Sequence, residues 1–195
     1  MTMNTFFKNL KHEIMNHPDN EVFTKQDWEP LFSASKKSKI IIIGQAPGIR
    51  AQTSAIPWDD KSGETLREWL GITSEQFYDE NVTALIPMDF YYPGKGKSGD
   101  LPPRKGFADL WHPQILDHIE GEPLVVLIGM YAQNYYLEGR KRTLTETVSS
   151  YKEYLPDNFF PLPHPSPRNN IWMTKNEWFK KDVLPILKKE VEKRL

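Results

Sequence analysis

Short apolar runs alternate with amphipathic segments along the chain. Four of these runs are apolar almost throughout, as expected for strands that are buried on both faces of a parallel sheet. The predicted strands are residues 40–43, 82–86, 124–128 and 159–162. Strands that alternate with helical patterns indicate the α/β class. We therefore expect a three-layer sandwich, in which helices flank a central, mostly parallel four-stranded sheet.

Apolar side chains at helical spacing predict the helices. Phe6, Leu10 and Ile14 recur every four residues. This helix should end near His17 and Pro18, because a residue before proline disfavours the helical conformation. Further helical patterns cover residues 107–119, 131–137 and 144–154, and another helix follows Ser62.

Polar residues at set positions predict where other helices start, because their side chains satisfy the free N–H groups of a first turn. Thr24 should cap a short helix that contains Trp28 and Leu31, and Thr73 with Gln76 forms a capping box for another helix. Thr174 with Glu177 should begin a C-terminal helix, which Pro185 must kink or divide.

Composition narrows the class of protein. A chain of 195 residues is long enough for one domain, residues 1–195, with a full hydrophobic core. Lys and Arg total 25 against 26 Asp and Glu, which argues against a protein that coats nucleic acid by bulk charge. The sequence has no cysteine, so disulfides, thiolate zinc sites and cysteine-ligated iron–sulfur clusters are excluded. We expect no cofactor and no metal.

Nothing in the sequence predicts a membrane partner. The longest apolar runs, residues 40–43 and 124–128, are far too short to span a bilayer. Residues 1–16 are amphipathic and charged, without the apolar core of a signal peptide. We expect a cytoplasmic monomer.

Two of the predicted strands lead into unusual turns. Residues 40–43 run into Gly-Gln-Ala-Pro-Gly at 44–48, and residues 159–162 are followed by His-Pro-Ser-Pro-Arg-Asn at 164–169. Ligands of such sheets bind outside the carboxyl ends of the strands, so both segments can share one edge. A turn with few side chains lets backbone N–H groups approach a flat ligand, and His164 can meet it from the other side. Taken alone, residues 44–48 are equally an ordinary βα turn.

Together these segments resemble the two signature motifs of the uracil-DNA glycosylase superfamily. Residues 164–169 are similar to the second motif of the single-strand-selective monofunctional enzymes. Residues 44–48 resemble the Gly-Glu-Ala-Pro-Gly of the family 4 enzymes, which carry an iron–sulfur cluster that this chain cannot hold. The resemblance implies the fold of that superfamily. It also implies a monofunctional DNA glycosylase whose partner is DNA containing uracil or a related deaminated base.

Cleavage of an N-glycosidic bond needs a carboxylate near the sugar, a hydrogen-bond donor at the departing base and an aromatic face for the flipped base. Residues 57–63, Pro-Trp-Asp-Asp-Lys-Ser-Gly, resemble the Pro-Phe-x-Gly-Asp-Arg-Ser-Gly segment of the family 5 enzymes, one residue shorter. The resemblance places Asp60 at the catalytic carboxylate and Trp58 at the stacking ring. Asp59 stays an alternative, because the gap leaves the register open.

The remaining pocket residues follow from the same resemblance. His164 should stabilise the departing base, and the expected catalytic residues are Asp60, His164 and Gln45. No Asn follows the second strand to recognise the base, so Asp89 or Gln45 should do so instead. Gly48 stands where the strictest uracil enzymes have a Tyr, which leaves room for larger bases. The expected base-binding residues are Gln45, Ala46, Gly48, Trp58, Asp89 and His164.

DNA contacts are expected at two loops. The Gly-rich segment 93–105 has four basic residues, Lys95, Lys97, Arg104 and Lys105, against the single acid Asp100. Such a loop can follow phosphates, although a merely solvated loop explains it as well. By resemblance, Ser166 suits a phosphate oxygen, and Arg168 with Asn169 lies where superfamily members insert a wedge into the base stack.

Two other functions stay open at this stage. The chain could be a catalytically silent binder of damaged or single-stranded nucleic acid, because Gln45 and Ala46 supply no carboxylate in the first motif. A weaker alternative is a nucleotide- or nucleoside-binding α/β hydrolase that acts on small molecules. No lysine lies in a signature motif to form a Schiff base, so lyase activity is not expected.

Overall fold

The computed structural model describes residues 5–195. Residues 1–4 lie outside that range. They belong to residues 1–16, the segment that was expected to lack the apolar core of a signal peptide. Within the described residues there are six strands: β1 (Ile40–Ile43), β2 (Thr83–Leu85), β3 (Lys95–Gly96), β4 (Gly99–Asp100), β5 (Leu124–Ile128) and β6 (Phe159–Leu162). Four of them form the central sheet in the order β2-β1-β5-β6, and every pairing in it is parallel. The expected α/β architecture is confirmed.

Helices cover both faces of this sheet. They are α1 (Thr5–Asn16), α2 (Glu21–Thr24), α3 (Ile49–Ser54), α4 (Lys61–Leu70), α5 (Ser74–Tyr78), α6 (Phe107–Leu116), α7 (Gly129–Tyr136), α8 (Leu144–Ser149), α9 (Tyr151–Tyr154), α10 (Asn170–Lys175) and α11 (Leu184–Glu192). A π-helical turn, Phe179–Val183, leads into α11. No helix within residues 5–195 is long and apolar enough to cross a membrane.

The side chains of β1 alternate between two hydrophobic cores. Ile41 and Ile43 pack with apolar residues of α1 and α6, whereas Ile40 and Ile42 pack with those of α4 and α11. All four isoleucines are at most 2% exposed. Successive side chains of a strand point to opposite faces, so a strand that is covered on both faces must be apolar throughout. The result is the expected three-layer sandwich.

Several helix boundaries differ from the predictions. Ser62 lies inside α4, because Asp60 rather than Ser62 caps its first turn. Thr24 is the last residue of α2 and caps no helix, since its hydroxyl donates to the Met15 carbonyl at 2.7 Å. Trp28 and Leu31 therefore lie beyond that helix.

The C-terminal prediction was also wrong in detail. Thr174 lies within α10, and its hydroxyl donates to the Asn170 carbonyl at 2.9 Å instead of capping a new helix. Pro185 directly follows the π-helical turn Phe179–Val183, within a helical run that extends from residue 177 to residue 192, so the C-terminal helix is interrupted beside this proline as predicted. The helix predicted over residues 144–154 is divided at Ser150. The capping box of Thr73 and Gln76 is confirmed.

The segment predicted as a Gly-rich loop contains a small hairpin of β3 and β4. Two-residue strands leave too little pattern for a sequence to predict. Gly99 has φ +121°, a conformation that favours glycine, and it lets the hairpin turn back across the carboxyl edge of the sheet.

Candidate active site

A cleft of about 470 Å³ opens at the carboxyl ends of β1 and β6. Its lining combines residues 44–48, the first turns of α3 and α4, the hairpin, and residues of the 164–169 segment. The two turn segments, more than 110 positions apart in the sequence, therefore meet at one site as predicted, because β1 and β6 are parallel strands of one sheet with only β5 between them. Among the predicted residues, the cleft contains Gln45, Ala46, Gly48, Trp58, Asp59, Asp60, His164, Ser166, Arg168 and Asn169.

Trp58 has an unusual backbone conformation at the cleft. Its φ of +60° is uncommon for a bulky residue, and such strain persists only where the surroundings hold it. Gly63 packs so closely on the Trp58 carbonyl that a Cβ at position 63 would overlap it, and Arg67 donates to that oxygen at 3.4 Å. The indole ring rests on Gly44, where a Cβ would lie 3.1 Å from Cζ2. Two glycines thus define the position of this ring.

The rings of Trp58 and His164 lie close together and nearly parallel. Their centroids are 5.7 Å apart and their planes differ by 28°. A flat ligand between two rings needs two contact layers of about 3.5 Å each, which is more than this separation allows. The arrangement instead suits a flat ligand that stacks on Trp58 and presents an edge to His164.

His164 is held in place by its own loop. The Asn169 amide donates to the His164 carbonyl at 2.7 Å, and prolines flank the histidine on both sides. Burial lowers the pKa of His164 below its ordinary value, and the negative charge of Asp60 partly opposes that shift. The imidazole is therefore neutral at neutral pH and offers one N–H donor.

The two neighbouring carboxylates at the cleft have different partners. Asp60 caps α4, and its Oδ1 accepts the Gly63 N–H at 2.9 Å, which leaves Oδ2 without a hydrogen bond within residues 5–195. Asp59 lies 3.6 Å from the Arg50 guanidinium. Of the two, it is Asp60 that acts on the pKa of His164. Both side chains are exposed at the cleft.

The first turn segment offers mainly backbone to the cleft. The Gln45 amide donates to the Leu101 carbonyl at 3.3 Å, which ties this turn to the end of the hairpin. Gly48 has φ −75°, a value that any residue adopts. A Cβ at Gly48 would lie 3.9 Å from Asp100 Oδ2, an ordinary contact distance. Glycine at this position therefore leaves space open and relieves no strain.

Asp89 does not lie in the cleft, contrary to the expectation that it could contact the base. It is fully buried, and both of its oxygens accept from Arg104, at 2.7 and 2.8 Å. Arg104 also donates to Asn20 Oδ1 at 2.8 Å. A buried bidentate pair of this kind is structural, so Arg104 is not free to follow phosphates either.

The wall of the cleft beside β2 is supported by a buried histidine. His112 Nε2 lies 2.9 Å from the carbonyl of Pro87, a cleft residue, and Nδ1 lies 2.5 Å from the Tyr136 hydroxyl. Burial lowers the pKa of His112 to about 4. The neutral ring therefore donates through Nε2 to Pro87 and accepts through Nδ1 from Tyr136.

The predicted DNA-contact residues occupy the cleft mouth and the hairpin. Ser166, Arg168 and Asn169 line the mouth, and the hairpin approaches Arg168 closely enough that a Cβ at Gly99 would lie 3.9 Å from its Nη1. Lys95 and Lys97 are exposed on the hairpin and do not line the cleft.

Four polar residues of the cleft, within residues 5–195, were not predicted as site residues. Arg50 lies in the first turn of α3 and Ser62 in the first turn of α4, whereas Ser98 and Asp100 belong to the hairpin. The Tyr92 hydroxyl donates to Asp100 Oδ1 at 3.5 Å. The Ser-Gly end that residues 57–63 share with the family 5 segment was a usable signal for Ser62, whereas nothing local to Asp100 pointed to the cleft. Across the described part of the chain, no group of three or more His, Cys, Asp or Glu residues could hold a metal ion.

The fold and the cleft define an α/β protein with a ligand site at the carboxyl edge of a wholly parallel sheet. A family model for the uracil DNA glycosylase superfamily matches residues 32–188, most of the chain. The chain therefore belongs to that superfamily, which generally comprises DNA glycosylases of base excision repair. The match includes both turn segments, and the resemblance predicted from them is confirmed.

Proposed function

We propose that this protein is a monofunctional DNA glycosylase that hydrolyses the N-glycosidic bond of uracil or a related deaminated base in DNA. The observation that carries the proposal is the meeting of Trp58, Asp60 and His164 in one cleft. An aromatic face, a carboxylate and a neutral imidazole are the groups that the reaction needs. The superfamily match supports the same reaction class.

The base would leave as an anion stabilised by His164. The flipped base stacks on Trp58, and the neutral imidazole donates its N–H to the base oxygen where negative charge develops. Bond cleavage leaves the electron pair of the glycosidic bond on the base. A neutral imidazole suits this step, because its N–H stabilises the anionic base by a hydrogen bond and no proton has to be transferred.

The sugar would become cation-like and take up water. Asp60 favours the positive charge at the sugar, the water oxygen bonds to C1′, and Asp60 accepts the proton that the water loses. Since no lysine of a signature motif is placed to attack the sugar, the product is an intact abasic strand and a free base.

Base selection would depend on the first turn segment. With Asp89 buried away from the cleft, Gln45 and the backbone at Ala46 are the candidates for contact with the base edge. The open space at Gly48 admits 5-substituted uracils or a deaminated purine. Ser166, Arg168 and Asn169 would contact the DNA backbone and the vacated stack, with Lys95 and Lys97 on the flank. We still predict that the protein is a monomer and that it is located in the cytoplasm.

The direct test is a panel of oligonucleotides carrying uracil, hypoxanthine or xanthine, each single-stranded and in duplex. Alkali-labile strand breaks after incubation with the full chain measure base release. We expect breaks with at least one of these bases and none without alkali. No breaks with any base at excess enzyme would contradict the proposal.

A catalytically silent DNA binder is the second candidate function. The observation that favours it is that Asp60 already serves as a helix cap and Gln45 is tied to Leu101. Under this alternative the protein would bind a uracil-containing strand and yield no abasic product. Base release from free nucleosides but not from DNA would instead favour a small-molecule hydrolase.

A further inference from the structure

Ser62 is a nearly buried residue in the lining of the cleft. It is 8% exposed and lines the cleft from the first turn of α4. Within residues 5–195 its hydroxyl makes no hydrogen bond, and it is not among the side-chain atoms sealed from solvent. The hydroxyl therefore keeps some contact with solvent, and the solvent-filled space that Ser62 lines is the cleft.

A buried hydroxyl without a partner costs free energy, so such groups usually bind water or a ligand. Two residues before Ser62, Asp60 presents an equally unpaired Oδ2 to the same cleft. Its other oxygen is committed to Gly63 N–H, which fixes the direction of the carboxylate relative to the first turn of α4. A donor–acceptor hydroxyl and a carboxylate oxygen on one turn form a natural pair of partners for one water molecule.

We propose that Ser62 is a catalytic residue of the glycosidic hydrolysis, because its hydroxyl and the Asp60 carboxylate hold the attacking water between them. This inference rests on the proposed function. The Ser62 hydroxyl orients the water, Asp60 accepts the departing proton, and the water oxygen bonds to C1′ as the base leaves with the bonding electron pair.

A DNA phosphate is the competing ligand for this hydroxyl, since the N-terminus of a helix attracts anions. The neighbouring charges favour water. Asp60 lies at this end of α4 without a basic partner among the described residues, and its carboxylate repels a phosphate brought beside it, whereas the charge of Asp59 is balanced by Arg50. A neutral water molecule meets no such repulsion.

The test is the single-turnover rate of Ser62→Ala at saturating enzyme, on the oligonucleotide that the wild-type chain cleaves fastest. Alanine is a better helix former than serine, so α4 should be retained. We expect a rate about tenfold lower with an unchanged Kd for DNA, on the scale of one lost hydrogen bond to a reacting group. Thr65→Val is the matched control, because it removes a hydroxyl from the next turn of α4, outside the cleft. It should leave the rate unchanged.

The double variant Ser62→Ala/Asp60→Asn decides whether both residues hold the same water. We expect it to be no more than about twofold slower than Asp60→Asn alone, because the second change removes a partner from a water already misplaced. A full further tenfold loss would overturn the inference. So would an unchanged rate in Ser62→Ala, or a weaker Kd with a reduced salt dependence, which would indicate a phosphate contact. An inactive wild-type chain would contradict the proposed function itself.

Discussion

Replacement of Asp60 by asparagine isolates the charge of the proposed catalytic carboxylate. Asparagine is as good a helix cap as aspartate, so the bond to the Gly63 N–H should survive. The lost charge at the helix N-terminus costs about 0.3–1 kcal/mol of stability. Folding and DNA affinity should therefore change little, and a change in rate reports on the reaction.

The expected loss is about a hundredfold in the rate of base release. Removal of one strong electrostatic contact to a transition state costs a factor of about 10²–10³. Asp60 is exposed at the cleft, where water screens its field, so the lower end of that range applies. A hundredfold corresponds to about 2.7 kcal/mol of transition-state stabilisation.

The pH profile gives this variant a second signature. Asp60 raises the pKa of His164, against the larger lowering caused by burial. Removing the charge should lower the pKa of His164 further. Because the neutral imidazole is the proposed donor, the acid limb of the rate profile should move to lower pH in Asp60→Asn.

Asp59→Asn is the matched control, since it removes a carboxylate from the same cleft that is paired with Arg50. Its single-turnover rate should stay within about threefold of wild type, as for an exposed ion pair of small energy. A severe loss in Asp59→Asn together with a normal rate in Asp60→Asn would show that the register is wrong by one. Normal rates in both variants would refute a carboxylate at this end of α4.

Three further predictions concern histidines and the open space of the cleft. His164→Ala should lower the single-turnover rate by about two to three orders of magnitude with DNA binding nearly intact; a rate within tenfold of wild type would remove His164 from the mechanism. Gly48→Tyr should suppress cleavage of 5-substituted uracils and larger bases more than cleavage of uracil, and tyrosine tolerates the backbone φ of −75° at this position. An equal loss on all substrates would argue against base selection at Gly48. The pKa of buried His112 falls from 6.5 to about 4 on folding, so between these values the unfolded chain binds the proton and the folded chain does not. The free energy of unfolding, measured by urea titration, should therefore decrease by about 3 kcal/mol as the pH falls through this range, and His112→Gln should flatten the dependence.

Much of the fold could be predicted from the sequence because its sheet is covered on both faces. A strand such as Ile40–Ile43 must then be apolar throughout, and such a run is visible without any long-range information. The two turn segments follow such strands, so the rule that ligands bind at the carboxyl edge was enough to bring Gln45 and His164 to one cleft. Trp58 and Asp60 were predicted as site residues because residues 57–63, which lie between the two turn segments in the sequence, resemble the family 5 segment.

The partners of polar side chains depended on the tertiary structure. Asp89 and Arg104 are ordinary loop residues in the sequence, where one was expected at the base and the other at a phosphate. In the folded chain they form a bidentate pair, because packing removes Asp89 from water and the buried carboxylate then needs the partly buried Arg104 as its partner. No local pattern contains that information.

The helix ends show the same difference between what a local sequence pattern predicts and what the tertiary structure decides. Thr24 and Thr174 have side chains that suit a cap, yet in the fold their hydroxyls bind carbonyls one turn or more before them.

The sequence by itself determined the layers, the parallel sheet and the edge that carries the site, since these follow from burial and strand direction. The tertiary structure alone decided that Asp100 lines the cleft and that Asp89 does not, because those outcomes depend on contacts between segments that the chain brings together only on folding.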